Sequence, residues 1–322
     1  MPLITTPSFA GNQWLKGKHV DTILPALFRD ISIPYIRERI VLSDGDFLDL
    51  DWLKNGNSKV LVLFHGLEGS SNSQYIKGMS RYFSAKGWDV CAMNFRTCSG
   101  EMNTVLRTYH SGATDDVNEV MQYLLSQYKY NTMIAGGFSL GGNVLLKYLG
   151  EQLFEPPPIL RTAFAFSVPC DLASSSSKMA TLENAVYMRR FLKSLRYKMK
   201  YKAAQFEGQM NTDGIDRMRT FTEFDNIFTA PINGFLDAAD YYAKCNSLQF
   251  LSGITIPTLL VNAQNDPFLT SLCFPEELAS SHTYFHLEMP KYGGHVGFAE
   301  RFPNESYWSE PRAFEFSTQF CT

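Results

Sequence analysis

The stretch AGGFSLGGN, residues 135–143, sets one serine among four glycines, directly after an apolar run and directly before VLLKYLG. Such spacing suits either a flexible loop or a turn so tight that only glycine lets neighbouring backbone come close. The second case would hold Ser139 out as a nucleophile. Gly137-Phe138-Ser139-Leu140-Gly141 reads as GxSxG between a strand-like run and a helix-like one, the context that a nucleophile elbow requires. The following helix would then aim its first amides and positive dipole end at charge developing near Ser139.

A serine hydroxyl is a weak nucleophile until a base takes its proton, and the base needs an acid to hold its tautomer. Loops following late strands are the places to look, because ligands in wound sheets gather at the carboxyl ends of strands. PTLLVNAQNDPF ends its apolar run at Asp266, and YFHLEMPKYGGHVGF ends its run at His295 behind two glycines. The order serine, aspartate, histidine suits this architecture.

Other histidines compete less well. His282 and His286 fall at or within the last strand-like run. His110, in RTYHSG, sits on a loop where it could line the pocket, and His65 ends an early strand where it is better placed to shape backbone than to titrate. FHGLEGS, residues 64–70, carries Gly66 and Gly69 and could present the Leu67 amide as one oxyanion donor; the Leu140 amide would be the other. His65, Gly66, His110 and Phe138 are the candidate pocket neighbours.

These residues need a sheet to hold them. RERIVL and FLDLDWL alternate with period two and read as early antiparallel strands, whereas VLVLF, WDVCAMNF, TMIAGG, AFAFSV, PTLLVNA and YFHLEM are continuously apolar, as strands buried on both faces are. Segments of helical spacing lie between them: 75–86, 113–128, 140–149 and 236–245. The alternation predicts an α/β fold with a mostly parallel central sheet and helices on both faces. The chain is expected to be one domain over 1–322. Residues 171–233 hold no convincing strand and read as an inserted helical lid.

Within that lid, YMRRFLKSLRYKMKYK puts Met188, Phe191, Leu192, Leu195 and Met199 on one stripe, surrounded by Arg189, Arg190, Lys193, Arg196, Lys198 and Lys200. The plainer reading is a solvated helix whose stripe packs on the pocket mouth; the other is peripheral contact with anionic lipid. Asn143, just after the second glycine pair, suits a capping or helix-packing role.

Composition narrows the class. The 322 residues are 45% hydrophobic and 19% charged with a net charge of −3, ordinary for a globular protein and no reason to expect nucleic acid. Six scattered cysteines without CxxC pairs suggest neither a zinc site nor a disulfide framework, and no metal or cofactor is expected. The N-terminal stretch lacks the pattern of a signal peptide and no apolar run has bilayer-spanning length, so a cytoplasmic protein is expected.

The blocks HGLEGSSNSQYIKGM, NFRTCSGEMN, YHSGATDDV, GFSLGGNVLLKYLGE, TAPINGFLDAADYY, NAQNDPF and GGHVGF, in that order, resemble the YheT-like (AB hydrolase 4) group of α/β-hydrolases from about His19 to about Phe302. The resemblance implies a serine esterase-like fold with a lid, with Ser139, Asp266 and His295 at the matching positions. It also implies acyl esters, small-molecule or lipid, as substrates. One departure is FRTCSG, where that group leads us to expect glycine at Thr97; it should stiffen the loop and alter the pocket's shape. The expected activity is a serine hydrolase of carboxylic esters working through an acyl-enzyme, the alternatives being an alcohol acyltransferase using the same residues and a non-catalytic binding protein on this fold. The sequence leaves the oligomeric state open.

Overall fold

A computed structural model describes residues 2–11, 16–300 and 306–321. Phe302, at the far end of the resemblance, lies outside them, as do residues 1 and 12–15 of the N-terminal stretch. The described strands are β1 (Leu3–Ile4), β2 (Ile36–Val41), β3 (Phe47–Leu53), β4 (Lys59–Phe64), β5 (Asp89–Asn94), β6 (Thr132–Phe138), β7 (Leu160–Phe166), β8 (Thr258–Val261) and β9 (Phe285–Glu288). They form one sheet in the order β1-β9-β8-β7-β6-β4-β5-β3-β2. Pairing is parallel from β1 across to β5 and antiparallel at β5–β3 and β3–β2.

Strand composition explains this placement. In β4, Val60, Val62 and Phe64 enter one core while Leu61 and Leu63 enter the other, so a continuously apolar run is buried on both faces. At the antiparallel end, Arg37 pairs in register with Asp51 and Arg39 with Asp49. Each arginine grips its carboxylate with two nitrogens at 2.8–2.9 Å, which is how β3 carries two buried aspartates.

The helices are α1 (Lys18–Phe28), α2 (Gln74–Ser84), α3 (Thr114–Gln127), α4 (Leu140–Gly150), α5 (Leu172–Met179), α6 (Ala185–Gln205), α7 (Phe221–Phe224), α8 (Ala230–Ile232), α9 (Ala238–Cys245), α10 (Glu276–Ser281) and α11 (Ser309–Thr318). Helix α1 and the two-residue β1 were not anticipated from sequence. Helices α2, α3 and α4 are the crossovers between successive parallel strands, with α3 and α4 packed on each other and α2 against α11.

From β7 to β8 the described chain contains helices and no strand. The stripe of α6 buries Met188, Leu192, Leu195 and Met199 in a separate small core with Met179, Ile215, Met218, Phe224, Phe228 and Phe268; Phe191 packs at its edge. The basic residues of α6 do not share one solvated face. Arg189, Lys193 and Lys200 are exposed, whereas Lys198 is only partly accessible and Lys202 is buried.

Candidate active site

Strand β6 runs straight into Ser139, and α4 begins at the next residue. Ser139 has φ 52° and ψ −119°, a strained conformation for a residue with a side chain. The turn survives because its neighbours are bare. The Ser139 amide donates to the Phe166 carbonyl at 2.9 Å, and the Asn143 amide donates to the Ser139 carbonyl at 3.0 Å, which seats the first turn of α4. The Asn143 side chain packs the helix, as expected: its amide donates to the carbonyls of Ser111 and Cys245 at 2.8 Å each, and its oxygen accepts from the Ser247 amide at 3.0 Å.

Asp266 follows β8 in a turn closed by its own amide on the Ala263 carbonyl at 3.0 Å, and its Oδ1 accepts from the Phe268 amide at 2.9 Å. The other oxygen, Oδ2, lies 2.8 Å from His295 Nδ1. His295 Nε2 lies 2.9 Å from Ser139 Oγ. A carboxylate only accepts, so Nδ1 carries the ring proton and Nε2 is left with a lone pair toward the serine hydroxyl. The Phe268 ring stands against the imidazole at 4.2 Å between centroids. The arrangement can take a proton from Ser139 and stabilise the charge that forms on the ring.

The histidine loop has supports that sequence reasoning missed. The His295 amide donates to Thr22 Oγ1 of α1 at 2.9 Å, the Val296 amide to Ser167 Oγ at 2.9 Å and the Gly294 amide to Asn265 Oδ1 at 2.9 Å. Asn265 in turn donates to Asp21 Oδ2 at 2.8 Å. Gly294 has φ +56°, and a Cβ there would stand 2.7 Å from Thr22 Oγ1, so α1 can lie directly on the loop only because position 294 is glycine. No motif announces a threonine 273 residues before the histidine it braces, or an aspartate 244 residues before the asparagine it holds.

Ser139 and His295 open on a cavity of about 490 Å³ whose wall also includes Gly66, Leu67, Leu140 and His110. Neither the Leu67 nor the Leu140 backbone amide donates to another described residue. Two expected pocket residues are elsewhere. His65 is fully buried behind the wall: the Phe95 amide donates to its Nε2 at 3.1 Å and its Nδ1 meets the Gly66 carbonyl at 2.8 Å, so it braces the Gly66 turn. Burial pushes its pKa down to about 4. Phe138 points into the core, stacked on Phe166 at 5.8 Å and tilted against Tyr75 at 4.8 Å, because alternation along β6 sends it away from the cavity.

His110 reaches the cavity but not the serine. Its Nδ1 accepts from the Gly112 amide at 3.1 Å, its ring packs edge-on to Phe235 and Tyr241, and burial pushes its pKa down to about 3. His282 accepts the amides of Tyr284 and Phe285 at the start of β9, and His286 packs on Phe316. Among the described residues no group of three or more histidines, cysteines, aspartates or glutamates could hold a metal ion. No described helix is long and apolar enough to cross a membrane.

Known proteins share both the sequence and the fold. The sequence pattern of the α/β hydrolase fold matches residues 59–298. YheT of Escherichia coli (strain K12), named as a candidate esterase, is 35% identical over 312 residues, covering 94% of this chain and 90% of its own. The phospholipase ABHD3 of Mus musculus is 30% identical, with 92% and 74% covered. Among solved structures, the esterase Pf2001 of Pyrococcus furiosus superimposes with a TM-score of 0.61 at 17% identity, over 97% of this chain and all of that one, a likeness of fold alone. Because the matching pattern spans β4 to the loop beyond β9 and the YheT likeness runs almost end to end, this chain belongs to the α/β-hydrolase family, in its YheT-like group.

Proposed function

We propose that the chain is a serine hydrolase of carboxylic esters that works through an acyl-enzyme. The observation that carries this reading is the unbroken hydrogen-bonded run from Asp266 through His295 to Ser139, ending at a cavity wall. Ser139 Oγ attacks the ester carbonyl carbon while its proton passes to His295 Nε2. The carbonyl π electrons move onto oxygen, and the Leu67 and Leu140 amides donate to that oxyanion. Collapse expels the alcohol, which takes the proton back from His295. Water, activated by the same nitrogen, then releases the acid and restores the serine.

The substrate class follows from the cavity and from the relatives. A cavity of about 490 Å³ suits a ligand of modest size, and its wall is largely apolar, with Phe191, Leu195, Met199 and Phe268 among its lining residues. YheT, the mouse phospholipase and a monoacylglycerol lipase of Saccharomyces cerevisiae, 27% identical over 78% of this chain, are all named for ester chemistry. An acyl ester, small or lipid, is therefore the proposed substrate. The helices of 171–233 act as its lid and wall within a single domain.

A lipid source is favoured by what surrounds the cavity. Ile23 and Leu27 of α1 and Arg190 and Phe191 of α6 belong to its lining. Nearby, His19 Nδ1 of α1 lies 3.1 Å from Tyr187 Oη of α6, and Lys18 pairs with Glu183 just before α6. On these segments Leu27, Phe28, Leu182 and Val186 are 67%, 60%, 96% and 73% exposed, and Arg189 and Lys193 of α6 are exposed as well. Exposed apolar side chains with basic ones on the same helix suit an anionic lipid surface.

The test is a fluorophosphonate label on the purified protein beside a panel of esters of rising acyl length. Wild type should be labelled on Ser139 and turn over part of the panel, and Ser139→Ala should lose both. Label on another serine with Ser139→Ala still active would overturn the reading. The ratio of hydrolysis to alcoholysis products, measured in added alcohol, separates a hydrolase from an acyltransferase.

A further inference from the structure

Glu68 follows the oxyanion-loop leucine and has φ 53°, the left-handed region that a residue with a side chain leaves unless held. It is held from several directions. Its amide donates to Tyr109 Oη at 2.9 Å, and Tyr109 Oη donates back to Glu68 Oε1 at 2.7 Å. The same Oε1 accepts from Lys198 Nζ at 2.7 Å, and Oε2 accepts a close hydrogen bond from Ser194 Oγ. Ser194 and Lys198 are four residues apart on α6, hence on one face of it. One turn further on, buried Lys202 donates to the carbonyls of Asn103 and Val105. The second half of α6 is thus pinned to the core by polar contacts and not only by its apolar stripe.

The Glu68 and Lys198 side chains are 6% and 12% exposed. A buried ion pair is weak evidence for stability, since desolvation consumes much of its attraction, and such pairs are better attested as devices that fix one geometry. The geometry fixed here is that of the 66–69 turn, closed by the Gly69 amide on the Gly66 carbonyl at 3.0 Å. Leu67, whose amide has no described partner and whose residue lines the cavity, sits inside that turn. Backbone strain stored at such a point persists only where the surroundings over-determine it. Of the side chains gripping the Glu68 carboxylate, two come from the lid helix.

We infer that Ser194 and Lys198 are positioning residues for the oxyanion-binding amide of Leu67, acting through the Glu68 carboxylate. Seating α6 on the core completes the oxyanion site, and loosening α6 undoes it while leaving Ser139, His295 and Asp266 in place. The inference rests on the serine-hydrolase reading above. It adds that the lid helix contributes to the chemical step and not only to the walls.

The experiment compares wild type, Ser194→Ala, Lys198→Met and Lys198→Arg in hydrolysis of a short soluble p-nitrophenyl ester. It also measures inhibition by an aryl trifluoromethyl ketone, whose carbonyl carbon is attacked by the serine oxygen to leave an oxyanion in the same site. Ser194→Ala and Lys198→Met should lower kcat by about 10- to 100-fold, somewhat less than outright loss of one oxyanion donor. KM should stay within about twofold, ketone affinity should fall in parallel with kcat/KM, and Lys198→Arg should recover most of the loss. Should Lys198→Met fail to fold, Ser194→Ala, which removes no charge, carries the test alone. Unchanged kcat, or a rise in KM with ketone affinity intact, would overturn the inference by making the cluster a pocket wall only. A wild type without esterase activity or fluorophosphonate labelling would instead sink the serine-hydrolase reading itself.

Discussion

A methyl group added to Gly137 would stand 2.6 Å from the Cα of Gly142, closer than side-chain carbons approach backbone in real proteins. That one proximity answers why so little side chain surrounds Ser139. The strand before the serine and the helix after it fold back on each other until their backbones touch, and both partners in the contact are main chain. Neither can swing aside as a rotamer would. Gly137→Ala should therefore cost more than ordinary overpacking, which runs to about 1–3 kcal/mol. A fall in the urea midpoint together with loss of fluorophosphonate labelling is expected. A variant as stable and as reactive as wild type would show that the turn has slack.

The hydrogen bonds at the serine also rank the histidines. On the proposed mechanism His295→Ala should lower kcat by several orders of magnitude, and Asp266→Asn by somewhat less, as for side chains that act as a unit. His110→Ala should leave the chemical step largely intact, since its accepting nitrogen is occupied by the Gly112 amide and its ring is packed among aromatics. Steady-state kinetics on one ester suffices. The reverse ranking would mean that the base is His110.

Sequence exposed the parts of this site that depend on local backbone. GxSxG between two elements, glycines beside a strand end, and an acid and a base just past late strands are each short patterns with one physical meaning. Side-chain direction is less accessible: the sequence puts Phe138 near the pocket, yet strand alternation turns it into the core. The braces from Thr22 and Asp21 were invisible because they are ordinary residues acting over a distance that only the fold closes. Thr97 falls between these cases. The glycine expected there is replaced by threonine, and its φ of 68° shows that the backbone still takes the left-handed conformation glycine favours. The Thr97 hydroxyl is buried without a partner while the residue lines the cavity, so this departure bears on pocket shape as well as strain.

Two buried histidines give stability a definite pH dependence. Burial lowers His65 from 6.5 to about 4 and His110 from 6.5 to about 3. Below the unfolded pKa, then, the unfolded chain binds more protons than the native one. The stabilisation from keeping these rings neutral is complete above about pH 6.5 and is lost as pH falls toward the folded values, at about 1.4 kcal/mol per pH unit for each ring. Asp225, which burial raises to about 6, has the opposite sign but cancels when a variant is compared with wild type. Replacing His110 by Asn should therefore cost stability at pH 7 and cost about 2–3 kcal/mol less at pH 4.5. Urea titrations at the two pH values measure this. A difference independent of pH would mean that His110 binds a proton as readily in the native state as in the unfolded chain.

The exposed side of the lid offers the last test. Arg189 and Lys193 are exposed on α6, as is Val186 within two turns of both, and Leu182 just before α6 and Leu27 and Phe28 at the end of α1 are exposed as well. If this rim meets an anionic bilayer, two forces act on it. The charges attract over about 10 Å at 0.1 M salt, and the apolar side chains bind whatever the salt concentration. Reversing both charges, Arg189→Glu with Lys193→Glu, should weaken binding to phosphatidylserine-containing vesicles by tenfold or more, as each basic residue near such a surface contributes about 1 kcal/mol. The effect should shrink as salt is added. Val186→Ser should instead weaken binding to a similar degree at low and high salt. Turnover of a small soluble ester should be nearly unchanged in both variants, because none of the three positions lines the cavity. Equal vesicle binding by wild type and the double reversal would leave α6 as a wall of the pocket, with its apolar rim facing water.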